Sequence, residues 1–77
     1  MDKKLISQNN MEIYEIRGIY PNDTKFRSVV CVEDQRDAIA IAQGLRKVTT
    51  INVVAVYDIT DGHMVYYDKL KVNLTTT

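Results

Sequence analysis

The stretch INVVAVYDITDGHMVYYD, residues 51–68, decides the fold. It opens on a nearly all-apolar, β-branched run from Ile51 to Thr60, passes through Asp61-Gly62, and returns from His63 to Asp68. Such runs bounded by a turn dipeptide read as two strands of a hairpin. Asp-Gly is the usual signature of a two-residue type I′ turn. That turn would place Ile59 opposite Met64 and Tyr57 opposite Tyr66 on one face. Val56 would then oppose Tyr67, and Asp58 would oppose Val65, on the other. The alternation of Leu70, Val72 and Leu74 extends the second strand or forms a short extra one.

Working upstream, Asp34 is a helix N-cap residue, with Asp37 at the third helical position. Ala38, Ile41, Ala42 and Leu45 follow at helical spacing and predict the buried stripe. Gly44 either allows close approach to the sheet or ends the helix early. Arg46 and Lys47 suit the negative end of the helix dipole. Before the helix, Glu12 to Tyr20 and Lys25 to Glu33 alternate as strands around Pro21-Asn22-Asp23, which carries turn chemistry. An odd-length loop there sets Gly18 opposite Phe26 and Tyr14 opposite Val30.

The element order is ββαββ. A right-handed crossover through the helix places the third strand beside the first. The expected fold is therefore α+β: a four-stranded antiparallel sheet, order 2-1-3-4, with one helix packed on one face. The helix is expected to cover Tyr14, Ile16, Phe26, Val30, Val53, Ala55, Tyr57, Ile59, Met64 and Tyr66. Residues 1–10 read as a flexible tail, 11–74 as the single domain, and 75–77 as a frayed end.

The strands are apolar on both faces, and one helix covers only one. The open face is expected to carry Ile13, Val29, Cys31, Val54, Val56, Val65 and Tyr67. An apolar patch of this kind marks an interface, and these seven residues are the expected contact set. A chain of 77 residues buries a small core, and association is a common remedy. A homodimer is the expected assembly, packed sheet to sheet or through strand edges, with another protein as a further partner.

Composition narrows the classes. Apolar residues at 45% exclude a disordered chain. Ten basic and ten acidic residues cancel, so nucleic-acid binding requires the charges to be segregated. Arg17, Lys25, Arg27 and Lys69 are the candidates for contact with an acidic partner or a phosphate. Arg17 and Arg27 are expected to sit opposite each other, with Glu15 and Asp58 available to neutralise them. Cys31 is the single cysteine, which suits a reducing compartment. No signal peptide or membrane-spanning run is visible, so the expectation is a cytoplasmic protein with no membrane partner.

No catalytic signature emerges. His63 follows a turn and has only Asp61 near it in sequence, whereas a general base needs a positioned partner and a pocket. Cys31 neighbours Glu33 and Asp34, which would raise a thiol pKa rather than lower it. Asp58, Asp61 and Asp68 do not have calcium-loop spacing, and the three glycines form no phosphate loop. The reading is of a non-enzymatic protein with no cofactor and no metal.

Three stretches add a resemblance. Tyr14-Glu15-Ile16-Arg17-Gly18, Pro21-Asn22-Asp23-Thr24-Lys25-Phe26 and Asp37-Ala38-Ile39-Ala40 together resemble small ββαββ proteins frequent among phages and other mobile elements. The likeness spans residues 11 to 68 and is one of architecture. It implies no activity, though several such proteins bind and block a host factor. Three functions stay open: a protein-interaction module, in one form an inhibitor; a nucleic-acid binder using the basic residues; and a small enzyme or ligand-binding protein with its site at a dimer interface.

Overall fold

The computed structural model describes residues 11–70. The tail expected over 1–10, the continuation through Val72 and Leu74, and the chain end lie outside the described residues. Among the described residues, four strands and one helix run in the order β1 (Glu12–Ile19), β2 (Lys25–Val32), α1 (Gln35–Val48), β3 (Val53–Asp58) and β4 (Met64–Lys69). The sheet is antiparallel with spatial order β2-β1-β3-β4, and α1 packs on β1, β2 and β3. The expected α+β fold and strand order are both found.

The first hairpin follows its sequence closely. The Tyr20 N–H donates to the Thr24 carbonyl at 2.8 Å and the Asp23 N–H to the Tyr20 carbonyl at 2.8 Å. The loop is thus the three residues Pro21, Asn22 and Asp23, with Asp23 left-handed at φ 70°, the usual three-residue hairpin solution. This odd-length loop yields the expected pairs Gly18 with Phe26 and Tyr14 with Val30. The Phe26 ring lies across Gly18, where an added Cβ would overlap the ring. Tyr20 packs on the same ring, centroids 5.1 Å apart.

The helix starts where Asp34 accepts a hydrogen bond from the Arg36 N–H at 2.7 Å. It runs four residues past Gly44 to Val48, so Gly44 does not end it. A Cβ on Gly44 would meet nothing within 4 Å, so close approach does not explain the glycine either. Ala38 and Ala42 are fully buried against the sheet and Leu45 is half-buried. Ile41, expected in the stripe, is 40% exposed. The two alanines take the line of closest contact and leave Ile41 on the flank. Arg46, in the last turn, forms an ion pair with Asp68 of β4, tying the helix end to the far strand.

The second hairpin departs from expectation. The Asp58 N–H donates to the His63 carbonyl at 2.8 Å and the Gly62 N–H to the Asp58 carbonyl at 2.7 Å. The loop is therefore four residues, Ile59 to Gly62. Type I′ needs positive φ at both central positions, and Asp61 does not have it; Gly62 alone does here, at 77°. Asp58 opens the turn early, its carboxylate accepting the Thr60 N–H at 2.9 Å. Val56 then pairs with Tyr66 and Tyr57 with Met64, leaving Val65 as the extra residue of a bulge.

The larger correction is the face that β3 presents. β1 pairs Ile16 with Val56 and Gly18 with Val54, so the even-numbered residues of β3 lie under the helix. Val54 and Val56 are 0% exposed, in one core with Tyr14, Ile16, Val32 and Ile51. Val65 is half-buried against that core. All three were expected on the open face; Val54 and Val56 are core instead, and Val65 flanks the core. Conversely, Val53, Ala55, Tyr57 and Met64 share the face away from the helix, while Ile59 is an exposed loop residue. A one-residue difference in register moves every side chain of a strand to the opposite face. β3 is apolar at both parities, so alternation alone could not choose.

Two substitutions follow. Gly44→Ala should stabilise the protein by about 1 kcal/mol, since it restores helix propensity without a clash; a lower urea midpoint would contradict the exposed helical geometry. Gly18→Ala should cost about 1–3 kcal/mol by overpacking against Phe26. The cost should shrink in a Phe26→Leu background when both are measured by urea melts.

Candidate protein-binding face

The two ladders of β1 place the open face in three rows across the sheet. The first holds Lys25, Ile19, Val53 and Lys69; the second Arg27, Arg17, Ala55 and Tyr67; the third Val29, Glu15, Tyr57 and Met64. Cys31 and Ile13 begin a fourth. The face encloses a shallow depression of about 520 Å³, with Ile19, Val53, Ala55 and Tyr57 among its lining residues.

Its polar centre is Glu15, the one buried charged residue among those described, 6% exposed. One carboxylate oxygen accepts from Arg17 Nε at 2.7 Å and the other from Arg27 Nε at 2.7 Å. The guanidiniums of Arg17 and Arg27, directly opposed across β1 and β2, are thereby bridged by an acid, which relieves their mutual repulsion. The hydrogen bonds from Arg17 and then Arg27 hold the Glu15 carboxyl below the ordinary carboxylate range, against the opposing effect of burial. Arg17 also stacks over the Tyr57 ring at 4.5 Å. Asp58, the second expected acid, does not join this cluster; its side chain serves the hairpin turn.

Charge is strongly segregated. The open face carries four cations, Arg17, Lys25, Arg27 and Lys69, against the single carboxylate of Glu15. The rest of the described residues hold eight carboxylates and three cations, Arg36, Arg46 and Lys47. The cations gather in the first two rows. Beyond them lies an apolar end, with Ile13, Val29 and Met64 each about half exposed. Tyr67, 54% exposed, sits between the two halves.

Of the seven residues expected to form the contact set, Ile13, Val29, Cys31 and Tyr67 lie exposed on this face, and Val54, Val56 and Val65 do not. All four expected cations lie on it. Tyr57, Met64, Val53 and Ala55 were missed, because they depend on how β3 pairs with its neighbours; Ile19, on the same side of β1 as Ile13 and Arg17, was legible from the first hairpin and left out of the contact set. The remaining candidates stay apart. His63 Nδ1 lies 3.2 Å from Asp61 on the exposed β3–β4 loop, while Cys31 is in β2 at the opposite edge of the sheet. No cluster of metal-ligating side chains occurs among the described residues, and no helix there is long and apolar enough to cross a membrane.

Compared with known proteins, the chain matches no family model, no curated protein and no solved structure.

The Glu15 cluster has a pH signature. Its carboxyl binds protons less readily folded than unfolded, so its stabilising contribution is present above the unfolded carboxylate range near pH 4–5. It is lost as pH falls through the lower folded value. Glu15→Gln should therefore destabilise the protein at neutral pH, and the gap between the two urea midpoints should close on acidification. A gap independent of pH would remove the charge from the explanation.

Proposed function

We propose that the protein is a non-enzymatic interaction module that uses the open face of its sheet to dock an acidic protein surface with an apolar flank. The observation that carries this reading is the division of that face into a cationic half and an aliphatic half. Interfaces combine apolar contact with charge complementarity, the first supplying affinity and the second orientation. Inhibition of a host factor by a phage-type protein is one form such a module takes; its support is the architecture alone.

A nucleic-acid reading draws on the same four cations. Stacking platforms, however, need several exposed rings, and here Arg17 occupies one face of Tyr57, leaving Tyr67 as the well-exposed aromatic of the face. Exposed Ile13, Val29 and Met64 suit a protein partner better than a phosphate backbone. Among the described residues no base, nucleophile and pocket come together to support an enzymatic reading.

Lys25, Lys69 and Tyr67 stand outside the Glu15 cluster, so replacing them tests the face without unbalancing it. In NMR titrations with a synthetic amphipathic peptide bearing Glu and Leu, shifts should concentrate on β1, β3 and β4 residues of this face. Lys25→Glu with Lys69→Glu, or Tyr67→Ala, should weaken binding at least about tenfold, a loss of roughly 1.4 kcal/mol. Tighter, steeply salt-dependent binding of a single-stranded oligonucleotide on the same residues would replace this reading with the nucleic-acid one.

A further inference from the structure

The sheet has two edges, and they differ. β4 is six residues long, is interrupted by the bulge at Val65 and ends in Asp68 and Lys69. β2 is eight residues long, pairs with β1 in an unbroken register, and contains neither proline nor bulge. Its last five residues, Ser28 to Val32, are uncharged. Among the described residues no strand lies beyond it, and α1 packs on the sheet's face. Natural edge strands are usually protected by proline, a bulge, charged side chains or a covering element; on β2 only Lys25 and Arg27, in the first half, supply one of these.

The hydrogen bond from the Tyr20 N–H to the Thr24 carbonyl fixes which backbone groups are free. Residues 20 and 24 form a bonded pair, so by antiparallel alternation the even-numbered residues of β2 bond to β1. Lys25, Arg27, Val29 and Cys31 direct their N–H and C=O groups outward. We propose that a second copy of the chain pairs antiparallel along this edge, Val29 opposite Val29, to make a continuous eight-stranded sheet.

Charge selects both the occupant and the register. Stacking two open faces would set four cations against four, each group with one carboxylate, so the face itself repels its own copy. At the edge, only registers that oppose odd-numbered residues satisfy the outward groups. Centring on Val29 brings Lys25 of each copy to Glu33 of the other, one residue past the strand end, and sets Arg27 beside Cys31. Centring on Ser28 leaves Lys25 and Arg27 opposite uncharged residues, and centring on Val30 spends Glu33 on Arg27, which Glu15 already neutralises, and shifts Lys25 to Gln35 inside the helix. The chosen register also covers Val29, which is 60% exposed. A two-fold axis through this pair is self-closing and leaves both helices on one side, so the docking face doubles in width.

The full chain should sediment as a dimer in equilibrium with monomer. The amides of Arg27, Val29 and Cys31 should gain protection from hydrogen exchange as concentration rises, while the even-numbered amides of β2 are protected throughout. Val29→Pro removes an outward N–H and no bond to β1; it should give a folded monomer by circular dichroism and sedimentation. Should that variant fail to fold, charge exchange decides: Glu33→Lys should weaken dimerisation about tenfold, and adding Lys25→Glu should restore it. A monomer at every concentration, or a dimer indifferent to both charge changes, overturns the proposal. Protection of the odd-numbered amides that does not depend on concentration would also overturn it, and would give the edge to another segment of the same chain.

Discussion

The ladder between β1 and β3 governs this molecule. Among the described residues a single helix covers one side of the four-stranded sheet, and one layer of side chains is buried between them. Pairing Ile16 with Val56 and Gly18 with Val54 commits the even-numbered residues of both central strands to that layer. Ile16, Val54 and Val56 are wholly buried as a result, and burial of side chains of this size is worth about 1.5–3 kcal/mol each. The same ladder commits Arg17, Ala55 and Tyr57 to the opposite face. The core and the docking face are thus two consequences of one register.

Small residues make the buried layer work. Ala38 and Ala42 bring the helix close to the sheet, and Gly18 gives the Phe26 ring a bed on which to lie. Aromatic packing over a strand glycine replaces the side chain that the glycine lacks. Tyr20 then extends the cluster past the end of β1. The Tyr14 hydroxyl donates to Glu12 at 2.6 Å; that bond, and then burial, raises the phenol pKa. The polar tip of a core tyrosine is thereby satisfied at the sheet's margin, and no buried side-chain polar atom among the described residues lacks a partner.

On the opposite side the same backbone supports a different kind of surface. Glu15 is buried there because two arginines fold over it, each contributing one strong hydrogen bond. Arg17 is held further by the Tyr57 ring. These contacts fix two guanidiniums in place, which lowers the entropy lost when a partner orders them. A face with fixed cations at one end and exposed aliphatic side chains at the other is polarised along the strands, and a partner would meet it in one orientation.

The order of elements, the first hairpin and its register, the helix with its Asp34 cap, and the strand order can all be read from the sequence. Each rests on local chemistry: turn residues, a capping side chain, helical spacing and crossover handedness. The sequence also placed Arg17 opposite Arg27 and put Glu15 within reach of both, since these follow from the first hairpin alone. The tertiary structure alone decided which face of β3 meets the helix, and with it the roles of Val54, Val56, Val65 and Tyr57. Val53 to Tyr57 is apolar at every position, so its pattern carries no period-two signal. Asp58, the charged residue that ends the strand, gives no signal of face either, because its carboxylate accepts the Thr60 N–H in the turn. Pairing with β1 joins residues some forty positions apart, and the burial gained across that long-range ladder settled what alternation within β3 could not.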